Sequence, residues 1–388
     1  MPCRTYSGGM APSRFSTARF RRFAGQAKPW IPLAGATLAL ALAGCSGDGG
    51  APSAASTAVA GETYLAIDSK PQPSVETLAA LANGGGAGAT GGPVGKVHYG
   101  IPADAALGVS APLNGNVPLP FGDAWNRDVS QAAVDPASAA LLAALGPSAS
   151  LSIGFSATAG VPYAVVGAGQ PLAAVWPAGD SPRTWPIPDD LPVAADGSGR
   201  AAILDRDAGR LLELHGASRR GDGGWTAASV VEWRLDAAAL APVDAAEANP
   251  PADGGMPFFV GLVRRDEAAA GAIRHALRVT LPLLRASSSV APARRAAFAG
   301  TPDAALAPVG TRLRLRADFP IPPAASVEGR AILQALKTHG MVVAGTGPAW
   351  RLEGAPDPRW NGATLAAEIG AVRVQDLEVL AADASAPR

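Results

Sequence analysis

Apolar positions along this chain come mostly in short runs divided by Gly and Pro, as at 151–155, 161–166 and 172–176. Runs of that length bounded by turn residues read as strands. The clearest hairpin is Ala201-Ala-Ile-Leu-Asp-Arg-Asp-Ala-Gly-Arg-Leu-Leu-Glu-Leu-His215, turning at Asp207-Ala208-Gly209. Gly221-Asp-Gly-Gly224 turns the chain again into an apolar run over 225–235. Further strands are expected over 258–263, 273–281, 311–319 and 341–344. Thr311-Arg-Leu-Arg-Leu-Arg-Ala317 alternates strictly, which predicts one wet face and one packed face.

Helices are few and well punctuated. Asp135-Pro136 supplies an N-cap and a first helical residue, Gly146 a stop, and Leu141, Leu142 and Leu145 an apolar stripe. Ser326 opens a second helix with Ile332, Leu333 and Leu336 inward. Lys337 and His339 fall in its last turn, where the dipole favours cations, and Gly340 follows. A third helix is predicted over 363–369, ended by Gly370. Many strands with few helices predict a mainly β fold. The expected form is an antiparallel β-sandwich, jelly-roll-like, as one piece or two packed halves, with a few short capping helices.

The first residues differ from the rest. Arg14, Arg19, Arg21, Arg22 and Lys28 precede the apolar stretch Ile31-Pro-Leu-Ala-Gly-Ala-Thr-Leu-Ala-Leu-Ala-Leu42, and no acid occurs before Asp48. That is the pattern of an export signal. A transmembrane helix needs about 20 apolar residues, and this stretch is shorter and holds Pro32. It ends at Leu42-Ala43-Gly44-Cys45, which resembles the bacterial lipobox. The resemblance implies cleavage before Cys45, acylation of its thiol, and a firm anchor in the bilayer. Ser46 after the Cys implies the outer membrane where the cell has one. Residues 1–44 therefore read as a lipoprotein signal peptide and 45–95 as a flexible tether and Gly-rich linker. Residues 96–388 read as a β-rich globular domain.

Cleavage changes the charge picture. The signal takes six Lys+Arg and no acid from totals of 32 and 32, leaving 26 − 32 = −6 on 388 − 44 = 344 residues. A mildly acidic chain argues against general nucleic-acid binding, which draws its affinity from phosphate neutralisation. Cys3 leaves with the signal and Cys45 is acylated. No thiol then remains for a disulfide, a metal site or a nucleophile.

Four stretches carry a joint resemblance: Gly261-Leu-Val-Arg-Arg-Asp-Glu267, Ile273-Arg-His-Ala-Leu-Arg-Val-Thr280, Ile332-Leu-Gln-Ala-Leu-Lys-Thr-His-Gly-Met341 and Gly354-Ala-Pro-Asp-Pro-Arg-Trp-Asn361. Together they resemble an uncharacterised family of secreted proteins frequent in soil bacteria. The resemblance implies one continuous unit from about Val117 to Leu380 and an extracytoplasmic life. Two family histidines are missing. Gly199-Arg200-Ala201 stands where the pattern has Asp-Arg-His, and Ala293-Arg294-Arg295-Ala296 where it has Ala-Arg-His-Tyr. If the family is enzymatic, this member has lost or altered its chemistry.

Candidate chemistry gathers on the hairpin. Asp205 and Asp207 sit two apart, as do Glu213 and His215 on the returning strand, so strand alternation could bring them to one surface. Carboxylate pairs run glycoside hydrolysis and also hold Ca²⁺, although no cofactor motif and no metal motif is present. The plainer reading is a solvated face with turn-forming Asp beside Gly209. His275 shares its strand face with Leu277 and Val279, as a buried base or a packed core residue. Arg274 and Arg278 could join Arg312, Arg314 and Arg316 in a basic stripe for acidic sugars, or pair with acids across the sheet. Trp185 and Trp360, in Pro-rich loops, are the expected exposed sugar platforms. No Gly-x-Ser-x-Gly elbow, His-Glu-x-x-His, P-loop or dinucleotide fingerprint occurs.

The expectation is a cell-envelope lipoprotein that binds an extracytoplasmic polysaccharide. The alternatives are a divergent polysaccharide hydrolase or lyase, and a structural envelope protein with a protein partner.

Overall fold

The computed structural model describes residues 97–236, 254–296, 300–348 and 350–382, all within the unit Pro71–Arg388. Cys45, the expected signal 1–44 and the expected tether 45–95 lie outside the described residues. With strands numbered in chain order, the largest sheet has six. Their order is β17 (Leu377–Val379), β14 (Arg312–Leu315), β15 (Met341–Thr346), β13 (Leu277–Leu281), β16 (Arg351–Leu352) and β4 (Ser152–Ile153). A five-stranded sheet runs β12 (Ser229–Arg234), β9 (Arg210–His215), β8 (Ala201–Asp205), β5 (Tyr163–Val166) and β2 (Gly108–Val109). A four-stranded sheet runs β10 (Ser218–Arg219), β11 (Trp225–Ala227), β6 (Leu172–Pro177) and β7 (Arg183–Pro186), and β1 (His98–Gly100) pairs with β3 (Asn116–Pro118).

The fold is mainly β, but its sheets are mixed rather than antiparallel. β13 runs parallel to β15, β5 to β8, β11 to β6, β16 to β4 and β1 to β3. A parallel pair is made by chain segments far apart, and nothing in a single strand's own pattern reports its partner's direction.

The five-stranded sheet is packed on both faces, which is why its strands read as continuous apolar runs. Alternation sends Ala202, Leu204 and Leu211 into the main core with Leu277, Leu313 and Val342. It sends Ala201, Ile203, Leu212 and Leu214 into a second core with Val175, Trp185 and Trp225 of the four-stranded sheet.

Among the described residues, four α-helices cap these layers: α1 (Ser138–Ala144), α2 (Arg265–Ala269), α3 (Val327–Thr338) and α4 (Gly362–Gly370). Ser326 caps α3 by accepting the Gly329 N–H at 3.0 Å, and Ile332, Leu333 and Leu336 are buried as expected. Glu368 of α4 accepts from the Ser326 N–H and hydroxyl, so two helix ends share one clamp. Gly340 takes φ +68° after α3, and a Cβ there would stand 2.3 Å from the Leu313 carbonyl oxygen. Only glycine meets both demands. No helix among the described residues is long and apolar enough to cross a membrane.

Two expected strand features differ. Residues 258–263 form not a strand but a 3₁₀ turn, Phe259–Gly261. Glu213 Oε1 accepts the Phe258 and Phe259 N–H groups at 2.7 and 2.8 Å, removing donors that a strand ladder would use. The second concerns β14, which has no wet face: Arg312 and Arg314 are buried. Chain segment 124–132 covers them with backbone carbonyls. Arg312 donates to the His339, Ala124 and Arg127 carbonyls, and Arg314 to those of Val129, Ser130 and Ala132 and to Glu378. Five guanidinium N–H groups can satisfy several carbonyls at once, so alternating Arg here marks a buried strap.

Candidate functional site

The hairpin does not gather its acids. Asp205 faces Arg210, whereas Glu213 faces Ala202. Ala202 and Asp205 are an odd number of residues apart, so their side chains leave opposite faces of the sheet. Asp205 accepts from the Asp207 and Ala208 N–H groups, which makes it a turn former, and Asp207 accepts from the Ala168 N–H and ties the turn to a neighbouring loop. Glu213 points into the main core, where its second oxygen accepts the Trp233 indole N–H at 3.0 Å. His215 is buried, edge-on to Phe258.

The basic stripe and the exposed tryptophans are likewise corrected. Arg278 and Arg312 flank Val342 from either side, but both are buried. Arg278 Nε donates to Glu353 Oε2 at 2.8 Å, and Arg200 Nη2 to Glu353 Oε1 at 2.7 Å. Burial would raise the Glu353 carboxyl, and the two guanidiniums outweigh it, holding it below the ordinary range. Trp185 and Trp360 are buried; Trp360 packs on Phe155 under Arg265 and donates to the Ala355 carbonyl. Trp185 approaches Glu232 at 3.4 Å. Pro-rich loops fold over both rings because a Trp in water forfeits a large apolar burial. Among the described residues no Trp is exposed, and Trp176, half-buried, carries Arg220 over its ring.

His275 and Arg274 do reach a site, in company the hairpin argument missed. The four stretches of the sequence resemblance converge there. Val263 bridges Gly354, β13 lies between β15 and β16, and Arg265 of α2 pairs with Glu328 of α3 at 2.9 Å. At this junction Glu267 is a hub. It accepts from Arg264 Nη2 at 2.5 Å and from the Arg264 N–H at 3.1 Å, and both its oxygens lie 3.1 Å from His275 Nε2. His275 Nδ1 faces the Ala276 carbonyl at 2.9 Å. A carbonyl and an ionised carboxylate only accept. The pair therefore holds a proton on each ring nitrogen, or one on Glu267, and either way is neutral as a unit. Burial would raise Glu267, but Arg264 and then His275 bring it below its usual value.

Beside this hub opens a cleft of about 340 Å³ lined by Asn114, Asn116, Arg264, Asp266 and Arg274. Arg264 is 1 % exposed, and its Nε and Nη1 have no hydrogen-bond partner. Asp266 Oδ2 accepts the Leu113 N–H at 2.7 Å, while Oδ1 has no hydrogen-bond partner and stands 3.8 Å from Arg264 Nε. Burial raises the Asp266 carboxyl above its ordinary value, opposed in part by Arg264. A buried donor and acceptor left open in this way cost stability and bear on what the cleft is for. The only trace in the sequence is the charged run Arg264-Arg-Asp-Glu267 directly after an apolar run. Among the described residues no group of three or more His, Cys, Asp or Glu could hold a metal ion.

Compared with known proteins, the chain matches no family model, no curated protein and no solved structure.

Proposed function

We propose that this chain is a lipoprotein of the cell envelope, held in the bilayer by acylated Cys45, and that its Arg264–Asp266 cleft binds an extracytoplasmic polysaccharide. The observation that carries the reading is the open donor of Arg264 facing the open acceptor of Asp266 across 3.8 Å. A hydroxyl donates and accepts at once, so it can bridge the two. A sugar presents hydroxyls in rows and supplies such a bridge in the complex. The cleft volume lies at the small end of ligand pockets, so one sugar unit is enclosed and the remaining chain lies outside.

Two measurements test the proposal. Cys45→Ser is expected to move the protein from the membrane fraction to the soluble fraction; continued membrane retention overturns the anchor. The second is retention of the detergent-purified chain on a panel of neutral and acidic polysaccharides. Asp266→Ala is expected to weaken it about tenfold to a hundredfold, the loss of one hydrogen bond to a charged group. Unchanged retention in a variant that still melts cooperatively removes the cleft from binding. Reducing ends are counted in the same tubes. Their release by the wild type and loss in Asp266→Asn would make the cleft catalytic, the hydrolase reading that Asp266's raised carboxyl favours.

A further inference from the structure

We infer that the sugar unit held in this cleft carries a carboxylate, as uronic acids do, and that Arg274 is the residue that grips it. The inference rests on the binding reading above. It starts from the charge the cleft contains. The His275–Glu267 pair is neutral as a unit, because both ring nitrogens face acceptors. Arg264 and Asp266 offset one another across 3.8 Å. Arg274 is then left over. It lines the same cleft, is half-buried, and has no ion pair or hydrogen bond among the described residues. The other arginines of this junction are paired. Arg278 and Arg200 share Glu353, Arg264 holds Glu267, and Arg265 holds Glu328.

A half-buried cation with no ion pair or hydrogen bond among the described residues, in a cleft of otherwise balanced charge, is complementary to one negative charge. The planar guanidinium fork matches a carboxylate in two parallel hydrogen bonds. A doubly charged phosphate would exceed the single free charge. A uronic acid joins the two requirements in one unit: hydroxyls for the open Arg264–Asp266 pair and a carboxylate for Arg274.

The experiment uses the full chain in detergent and three probes: oligogalacturonate, the same oligomer with its carboxylates methyl-esterified, and dextran sulfate. Oligogalacturonate is expected to bind at least tenfold tighter than its ester. Arg274→Gln is expected to abolish that difference, and Arg274→Lys to restore part of it. Added salt should weaken the acid probe and not the ester. Equal binding of acid and ester overturns the carboxylate inference and leaves polysaccharide binding standing. Tighter binding of dextran sulfate assigns the wrong anion and overturns it too. Binding of none of the three overturns this inference and the reading beneath it. If Arg274→Gln melts early, the Lys variant with the ester comparison decides the matter.

Discussion

Replacing Glu353 by Gln is expected to cost about 3–5 kcal/mol, the usual penalty for breaking a buried ion pair. Glu353 is 5 % exposed and lies between Arg278, which is fully buried, and Arg200. An amide keeps the shape but loses the charge, and it presents two hydrogens to guanidiniums that only donate. Arg278 would then hold its cation in the main core without its carboxylate partner, while still donating to the Pro257 carbonyl. Urea denaturation reads the loss as a lower midpoint at constant slope. The double variant Glu353→Leu with Arg278→Met should recover part of it, because the fully buried charge of Arg278 goes with its carboxylate and Arg200 keeps Asp196 at 3.7 Å. A loss below about 1 kcal/mol for Glu353→Gln would mean that the pair is solvated like a surface bridge, and the account of this junction would fall.

Acid should weaken the fold through His339, starting well above the ordinary carboxylate range. His339 is the C-cap directly after α3, is 8 % exposed, and its Nδ1 donates to the Arg127 carbonyl at 3.1 Å. Burial lowers its pKa to about 4, opposed by that hydrogen bond and reinforced by His275 and Arg312. The dipole expectation for this residue is thus corrected: a helix end favours the cation by about 0.3–1 kcal/mol, and desolvation exceeds that here. The sign follows from where the proton goes. Above the unfolded value near 6.5 the ring is neutral in both states and costs nothing. As pH falls from 6.5 towards 4, the unfolded chain takes up a proton that the folded chain refuses, and stability is lost. Below about 4 both states are protonated and this loss stops growing. The full effect is about 3 kcal/mol. Glu353 and Glu267 act in a lower window: their carboxyls are depressed by folding, so their contribution is present above the ordinary glutamate value near 4.3 and falls away below it. Urea midpoints measured from pH 8 to pH 4.5 should decline in the wild type and stay nearly flat in His339→Gln, which can still donate to Arg127. An equal decline in both would place the acid sensitivity elsewhere.

The contrast between these buried groups and the reading of the linear chain shows which physics each could reach. Local chemistry was legible. The hairpin turn at 207–209 follows from Asp205 and Gly209, the α3 cap from Ser326, and the abundance of short strands from Gly and Pro spacing. Each is an interaction within a few residues. His275 and Arg274 were legible as candidates too, since a polar pair beside an apolar strand is unusual. Their partners were not. Glu267 reaches His275 only because β13 and the turn after Gly261 meet in space, and short-range spacing carries no record of that.

By itself, then, the sequence determined where strands, caps and turns form, because those depend on backbone preference and neighbouring side chains. Only the tertiary structure decided strand direction, the burial of Arg312 and Arg314, and the convergence of four distant stretches on one cleft. A charged side chain is wet or buried according to which carbonyls and carboxylates the rest of the chain brings to it. That supply is a property of the packed fold, because desolvation and pairing energies depend on distances of a few ångström between residues far apart in sequence.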